Sequence, residues 1–334
     1  HKILSSQTQN WQDGVNHITY SKMDLVLIAP ASVNTINKLT AGICDNVFMQ
    51  TLIAASHVPL VVAPAANNNM IEHFATQNSL EILKKNGALV VEPVLKTLAC
   101  GDVGKGALAS PEVIVEAAIK RLSRPLFAGK KVVITGGATT EKIDDVRAIT
   151  NFSSGKMARA LARAFYYAGA EVKLLASFET ANEPFDSLKF SSSSELLELC
   201  KSECEGANLL VMCAAVSDFM PTKIDGKIKK EDVKESLNLD LKRNVDILQS
   251  LKEFKCKKIG FKLEISNESA LKSARSMLEK KGLDAVCLNI LGEKNGFASK
   301  QNEVNFITRG GETLLPLASK DEIAGRIVEL AANL

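Results

Sequence analysis

Short apolar runs recur along the chain, each too brief for a helix and most followed by a stretch with helical spacing. They are residues 24–29 (DLVLIA), 59–63 (PLVVA), 88–92 (ALVVE), 131–135 (KVVIT), 171–176 (EVKLLA), 208–213 (NLLVMC), 258–263 (KIGFKL) and 284–288 (DAVCL). Runs that are apolar at consecutive positions suit parallel strands covered on both faces, and their alternation with helices predicts α/β sheets. Helices are expected over 32–40, 45–55, 70–86, 110–122 and 156–168. The end of the chain differs: 303–308 and 312–317, separated by Arg309-Gly310-Gly311, read as a β-hairpin, and Ser319 with Glu322 three residues on opens a last helix.

At 334 residues the chain exceeds one typical core, so two α/β domains are expected. Ser123-Arg124-Pro125 ends a helix and is the best linker in the sequence, which divides the chain into 1–124 and 125–334. Residues 130–157 then read as the start of a new nucleotide-binding unit: a strand ending in Thr135-Gly136-Gly137, a long polar loop, and a Ser-Ser-Gly turn that opens a helix and offers backbone N–H groups to a phosphate. An ordinary helix cap remains the alternative, because neither the Walker loop nor the dinucleotide glycine fingerprint is matched. The first residues are loop-like, and an upstream strand and helix are expected to be missing.

The net charge of +3, with lysines interspersed among acids, does not suggest nucleic acid as a partner. Seven cysteines without framework or metal spacing suggest reduced thiols and a cytoplasmic protein. Cys200 and Cys204 are expected to share a helix face. No apolar run reaches membrane-spanning length, so no membrane association is expected.

In the first half, His17 is either a structural residue or a base with a pKa near neutrality. Asn67, in the run 64–70 (PAANNNM), follows a strand end, where it is either a turn cap or a neutral grip on a carboxylate. Cys100 heads the glycine-rich stretch 100–107 (CGDVGKGA), a candidate lid, and is either an inert thiol or an acid or nucleophile. Together with 29–39 (APASVNTINKL), these segments resemble the phosphopantothenoylcysteine decarboxylases, flavodoxin-like FMN enzymes. The resemblance covers about residues 16–122 and implies catalytic roles for His17, Asn67 and Cys100, with Ser32, Asn34 and Thr35 near the flavin. In that family the flavin oxidises the substrate thiol so that the carboxylate can leave as carbon dioxide, and the flap cysteine acts as an acid. This chain departs from the family at Ala66 and at Ala107-Leu108, where Met and Arg-Met are usual.

In the second half, the order of 135–157 (TGGATTEKIDDVRAITNFSSGKM), 213–219 (CAAVSDF), 227–230 (KIKK) and 243–248 (RNVDIL) resembles phosphopantothenate–cysteine ligase. Fusion of the two is the arrangement of the bacterial bifunctional enzymes of coenzyme A biosynthesis. The resemblance implies a Rossmann-like domain in which CTP activates the carboxylate of 4′-phosphopantothenate as an acyl-cytidylate, and cysteine then attacks it. It assigns Asn151 and Arg147 to the acyl-cytidylate and Lys227 to the reaction as a lysine of a mobile loop, places Gly136, Ala214, Ala215, Asp218, Asn244, Asp246 and Phe261 at the CTP site, and suggests Mg²⁺ held mainly by the triphosphate, with Asp218 as its protein ligand. By itself KIKK would read as a solvated charge run. The product, 4′-phosphopantothenoylcysteine, would be the substrate of the first domain. The resemblance also implies a homo-oligomer, with trimer-forming decarboxylase and dimer-forming ligase domains.

Two other readings stand beside this one. The first half could be only a binding or assembly module, leaving ligase activity alone. A nicotinamide-dependent oxidoreductase would need a glycine fingerprint that neither half has.

Overall fold

The computed structural model describes residues 18, 20–97, 103–181, 183–229, 231, 236–265, 267–290, 299 and 301–334. The chain separates into two compact units, His1–Ser123 and Arg124–Leu334. Both are α/β, as the alternation of apolar runs and helices requires.

The first unit runs β1 (Val26–Ala31), α1 (Val33–Thr40), α2 (Val47–Ala54), β2 (Leu60–Pro64), α3 (Asn68–Glu72), α4 (Phe74–Lys85), β3 (Leu89–Val90), β4 (Val94–Thr97), β5 (Val103–Ala107) and α5 (Pro111–Leu122). The first three strands form a parallel sheet in the order β1-β2-β3. Its centre is β2, where Val61, Val62 and Ala63 are wholly buried between the helices of the two faces. Ser32, Asn46 and Ser110 cap α1, α2 and α5 by accepting N–H bonds from Thr35, Met49 and Val113.

Two local readings change here. The helix expected over 70–86 is two helices, because His73 adopts an extended backbone and its Nδ1 accepts from Ala75 N–H, so a new N-terminus begins in mid-stretch. The described part of the glycine-rich stretch is β5, which forms an antiparallel ladder with the preceding β4. Its glycines serve close approach. A Cβ on Gly106 would lie 2.1 Å from the carbonyl oxygen of Ala66, and one on Gly104 would lie 2.8 Å from Asn68 Cβ. The ladder therefore lies flat against the turn after β2, held by Ala66 N–H to Gly106 O at 3.0 Å and Lys105 N–H to Asn68 Oδ1 at 3.0 Å.

The second unit runs β6 (Lys131–Gly136), β7 (Thr140–Lys142), β8 (Ala148–Thr150), α6 (Lys156–Tyr167), β9 (Glu171–Ala176), β10 (Asp186–Lys189), α7 (Ser193–Cys204), β11 (Leu209–Met212), β12 (Phe219–Pro221), β13 (Leu241–Arg243), α8 (Ile247–Ser250), β14 (Lys257–Glu264), α9 (Asn267–Lys280), β15 (Ala285–Ile290), β16 (Gln301–Thr308), β17 (Gly311–Ser319) and α10 (Lys320–Ala331). Its eight-stranded sheet has the order β10-β9-β6-β11-β14-β15-β16-β17. The first six of these are parallel in the doubly wound order, and β16 and β17 extend the sheet antiparallel as the expected hairpin.

Alternate residues of β6 feed two cores. Val132 and Ile134 pack with Leu161 and Phe165 of α6 and with Ile323 and Ile327 of α10, whereas Val133 packs with Leu196 and Cys200 of α7 and Ala274 of α9. Each such aliphatic side chain contributes about 1.5–3 kcal/mol on burial. Cys200 and Cys204 do share the inner face of α7. The C-terminal helix is opened by a Ser319/Glu322 capping box.

Candidate functional site

In a doubly wound sheet a ligand is expected beyond the carboxyl ends of the strands at the point where strand order reverses, here between β6 and β11. The chain closes that crevice with its own backbone. Ala215 N–H donates to Gly137 O at 2.8 Å, Thr139 N–H to Ala215 O at 3.1 Å, and the Thr135 hydroxyl accepts from the N–H groups of Cys213 and Ala214, both at 3.1 Å.

The glycine turn is closed as well, by an aromatic ring. A Cβ on Gly155 would lie 2.1 Å from Phe178 Cε1; on Gly136 it would meet Ala158 Cβ at 2.3 Å and Phe178 Cε1 at 3.1 Å. Gly155 is the N-cap of α6 with φ of +69°, and Arg159 lies over the outer face of the same ring, 5.2 Å from its centroid. These glycines make room for Phe178. Gly136 consequently lines neither of the cavities described next.

The open space lies one strand further on, above the ends of β11 and β14, in two chambers that share Phe152, Ala214, Ala215, Phe261, Lys262 and Leu263. The smaller, about 200 Å³, is lined by the first turn of α6 (Gly155 to Ala158) and by Asn289, Asn302 and Lys320. The larger, about 1030 Å³, is lined by Asn151, Asp218, Asn244, Asp246 and Lys281 among others.

The smaller chamber is electropositive. Lys156, Lys262 and Lys320 line it together with the N-terminus of a three-turn helix, an arrangement that suits a phosphate chain. Burial, reinforced by the nearby Lys156 ammonium, holds the Lys320 pKa below that of an ordinary lysine. Burial also pushes the Cys213 thiol up to about 12, which keeps it neutral and argues against a nucleophilic role.

The larger chamber carries polar groups held by the backbone. Asn244 Nδ2 donates to Ser217 O at 2.8 Å and Asn244 N–H to Asp218 O at 2.8 Å, which fixes the two segments side by side. Asp246 caps α8 through Gln249 N–H at 3.1 Å and pairs with Lys281 at 2.9 Å. Asp218 is exposed at the rim. Among the described residues no group of three His, Cys, Asp or Glu converges as a metal site, so a cation here would need further ligands, such as phosphate oxygens.

Of the residues singled out from sequence, Asn151, Ala214, Ala215, Asp218, Asn244, Asp246 and Phe261 therefore border one or both of these adjacent chambers. Arg147 and Lys227 border neither chamber. Arg147 Nη2 donates to Ile228 O at 2.8 Å, beside the exposed Lys227. Lys156, Lys320, Asn289 and Asn302 were not found by sequence reasoning. The lysine in SSGKM is visible in hindsight, but no local signal marks Lys320.

In the first unit Ser32 and Asn67 stand at the carboxyl edge of the sheet, where Ala65 N–H donates to Ala31 O at 3.1 Å. The Ser32 and Thr35 hydroxyls are 3.1 Å apart at the N-terminus of α1, a donor set that fits a flavin phosphate or ring oxygen. Asn34 follows on the exposed side. Asn67 Oδ1 accepts from Asn69 N–H at 2.9 Å, so Nδ2 is the end of its amide suited to a carboxylate. His17 and Cys100 lie outside the described residues.

Comparison with known proteins agrees with this division. The family model described as DNA/pantothenate metabolism flavoprotein, C-terminal domain, matches residues 127–334, and the model described as flavoprotein matches residues 1–123. The coenzyme A biosynthesis bifunctional protein CoaBC of Bacillus subtilis is 38% identical over 320 residues, covering 93% of this chain and 78% of that protein. That of Vibrio cholerae is 36% identical over 326 residues, covering 95% and 80%. The crystal structure of the C-terminal domain of a CoaBC protein aligns with a TM-score of 0.51 at 30% identity, covering 63% of this chain and 97% of that one. Matched over both its units and over most of its relatives' length, the chain belongs to the CoaBC family of bifunctional coenzyme A biosynthesis proteins.

Proposed function

We propose that the chain catalyses two consecutive steps of coenzyme A biosynthesis, with the ligase in residues 125–334 and the decarboxylase in 1–124. The ligase joins 4′-phosphopantothenate to cysteine at the expense of CTP. The decarboxylase then converts 4′-phosphopantothenoylcysteine to 4′-phosphopantetheine.

The observation that carries the ligase reading is the pair of adjacent chambers with common wall residues. A lysine-lined pocket at the mouth of α6 suits the triphosphate of CTP, and a larger polar one suits the rest of the nucleotide and the acyl group. A free carboxylate has no usable leaving group, so it must first be joined to a phosphoryl group. Asn151, at the larger chamber, would hold that mixed anhydride. Arg147 and Lys227, which border neither chamber, would stabilise the negative charge that develops on it once their segment is brought to the acyl group. Mg²⁺, held mainly by phosphate oxygens with Asp218 at the rim, would neutralise the triphosphate.

In the first unit, FMN would supply a two-electron oxidation at the substrate sulfur that allows carbon dioxide to leave, and would return the same two electrons afterwards so that the product is again a thiol. Ser32, Asn34 and Thr35 would bind the flavin, the Asn67 amide would orient the carboxylate, His17 would assist the oxidising step, and Cys100 would return a proton. Neither chemistry involves a membrane or a nucleic acid, and among the described residues no helix is long and apolar enough to cross a bilayer. The enzyme would work in the cytoplasm as a homo-oligomer with ligase-domain dimers.

The test is pyrophosphate release from CTP in the presence of 4′-phosphopantothenate, with and without cysteine. The wild type should release pyrophosphate and form the amide, and Asn151→Asp and Lys227→Gln should each lose at least tenfold. A wild type as silent as both variants would refute the ligase reading. Carbon dioxide release from the isolated amide, dependent on added FMN, tests the first unit separately.

A further inference from the structure

The turn between β7 and β8 grips the segment around Lys227 at four backbone atoms. Gly226 N–H donates to Asp145 Oδ2 at 2.9 Å, and Gly226 O accepts from Asp145 N–H at 3.0 Å. Ile228 N–H donates to Asp144 Oδ2 at 3.2 Å, and Ile228 O accepts from Arg147 Nη2 at 2.8 Å. Both peptide groups of each neighbour are thus taken up, and Lys227 is the one residue between them, its side chain exposed. Two further contacts extend the grip: Ile224 N–H to Ile143 O at 2.9 Å, and Lys223 Nζ to Asp145 Oδ1 at 2.9 Å.

Asp144 is the centre of this arrangement. Its side chain is wholly buried, Oδ1 accepts from Val146 N–H at 2.8 Å and Arg147 N–H at 2.6 Å, and Oδ2 pairs with Arg147 Nη1 at 3.3 Å. Burial alone would favour the neutral acid, but the N–H bonds from Val146, Arg147 and Ile228 and the Arg147 charge outweigh it and hold the carboxyl below its ordinary pKa. One oxygen thus shapes the turn, while the other reaches across to Ile228 and orients Arg147.

We infer that Asp144, supported by Asp145, is a positioning residue for ligation: it latches the Lys227 segment to the turn that carries Arg147, so that the two cations are presented in fixed register. This rests on the ligase reading of Lys227 and Arg147. Holding a cation in the geometry of the transition state is a rate effect, since a displacement of about 1 Å can cost about 100-fold.

Asp144→Asn separates the two oxygens. Asparagine can still accept from Val146 and Arg147 through Oδ1, but its NH₂ would face the N–H of Ile228 and the guanidinium of Arg147, donor against donor. The expected result is a roughly 10- to 100-fold fall in kcat for pyrophosphate release with KM for CTP within about twofold, and faster hydrogen exchange at the Ile228 amide. In the Lys227→Gln background Asp144→Asn should change kcat little, because the two act as a unit. Asp145→Ala, at an exposed position, should speed exchange at Gly226 and lower kcat more modestly, and it serves as the probe should Asp144→Asn fail to fold. Unchanged exchange at Ile228 and Gly226, or an equal fall in kcat with and without Lys227, would overturn the inference. If wild type released no pyrophosphate, the ligase reading would fall, while the exchange measurement would still decide whether the latch exists.

Discussion

The contact between Gly155 and Phe178 allows a quantitative test of why the polar loop carries glycine where it does. Gly155→Ala has two separable costs. The residue sits at φ of +69°, where an L side chain costs about 1–2 kcal/mol. Its new methyl would lie 2.1 Å and 2.2 Å from two carbons of the Phe178 ring, an overpacking that costs about 1–3 kcal/mol. The sum is about 2–5 kcal/mol. Phe178→Ala removes the second cost but not the first, so a double-mutant cycle should return a favourable coupling of about 1–3 kcal/mol. Exchange of the Val132 to Thr135 amides, in the centre of the sheet, reports the stability of the second unit without interference from the first. A cost below about 1 kcal/mol for Gly155→Ala, or strictly additive variants, would refute the view that this glycine exists to seat the ring.

Two further outcomes follow from the geometry. Lys320 has a lowered pKa in the folded protein, so it loses its charge at a lower pH than an ordinary lysine; CTP affinity should hold at neutral pH, weaken early on the alkaline side, and keep its strength to higher pH in Lys320→Arg, as read by calorimetric titration. Gly106→Ala should lift the β4–β5 ladder from the Ala66–Asn68 turn, losing two hydrogen bonds worth about 1 kcal/mol each and exposing the Lys105 amide to rapid exchange; protection equal to wild type would refute the close-approach role.

What could be read in advance follows burial. The strands that are covered on both faces, such as β2, β6 and β11, announce themselves as unbroken apolar runs. The edge strand β10, with the sequence DSLK and partly exposed throughout, carries no such signal, and neither do the three-residue strands β7, β8, β12 and β13, which are too short to show a period. The helix α9 is polar on most of its surface and hides its core face in Ala270, Ala274 and Leu278 at a spacing of four. The larger chamber was legible because its residues cluster in short motifs. The smaller one was legible only in part: the Ser153-Ser154-Gly155 turn that opens α6 lines it, but Lys320 joins that turn only when β17 returns the chain to the mouth of α6. Phe178, whose ring fills the space beside Gly136, Gly137 and Gly155, sits on another strand end and has no motif of its own.

That return of the chain has a consequence for synthesis. The pocket at the mouth of α6 takes residues 152–158 from near the start of the second unit and Lys320 from far downstream of them. On the ribosome the first wall of this pocket emerges long before the last, so a nascent chain cannot complete it until α10 has left the exit tunnel. A ligand of this pocket would then stabilise only chains in which both walls are present, by mass action.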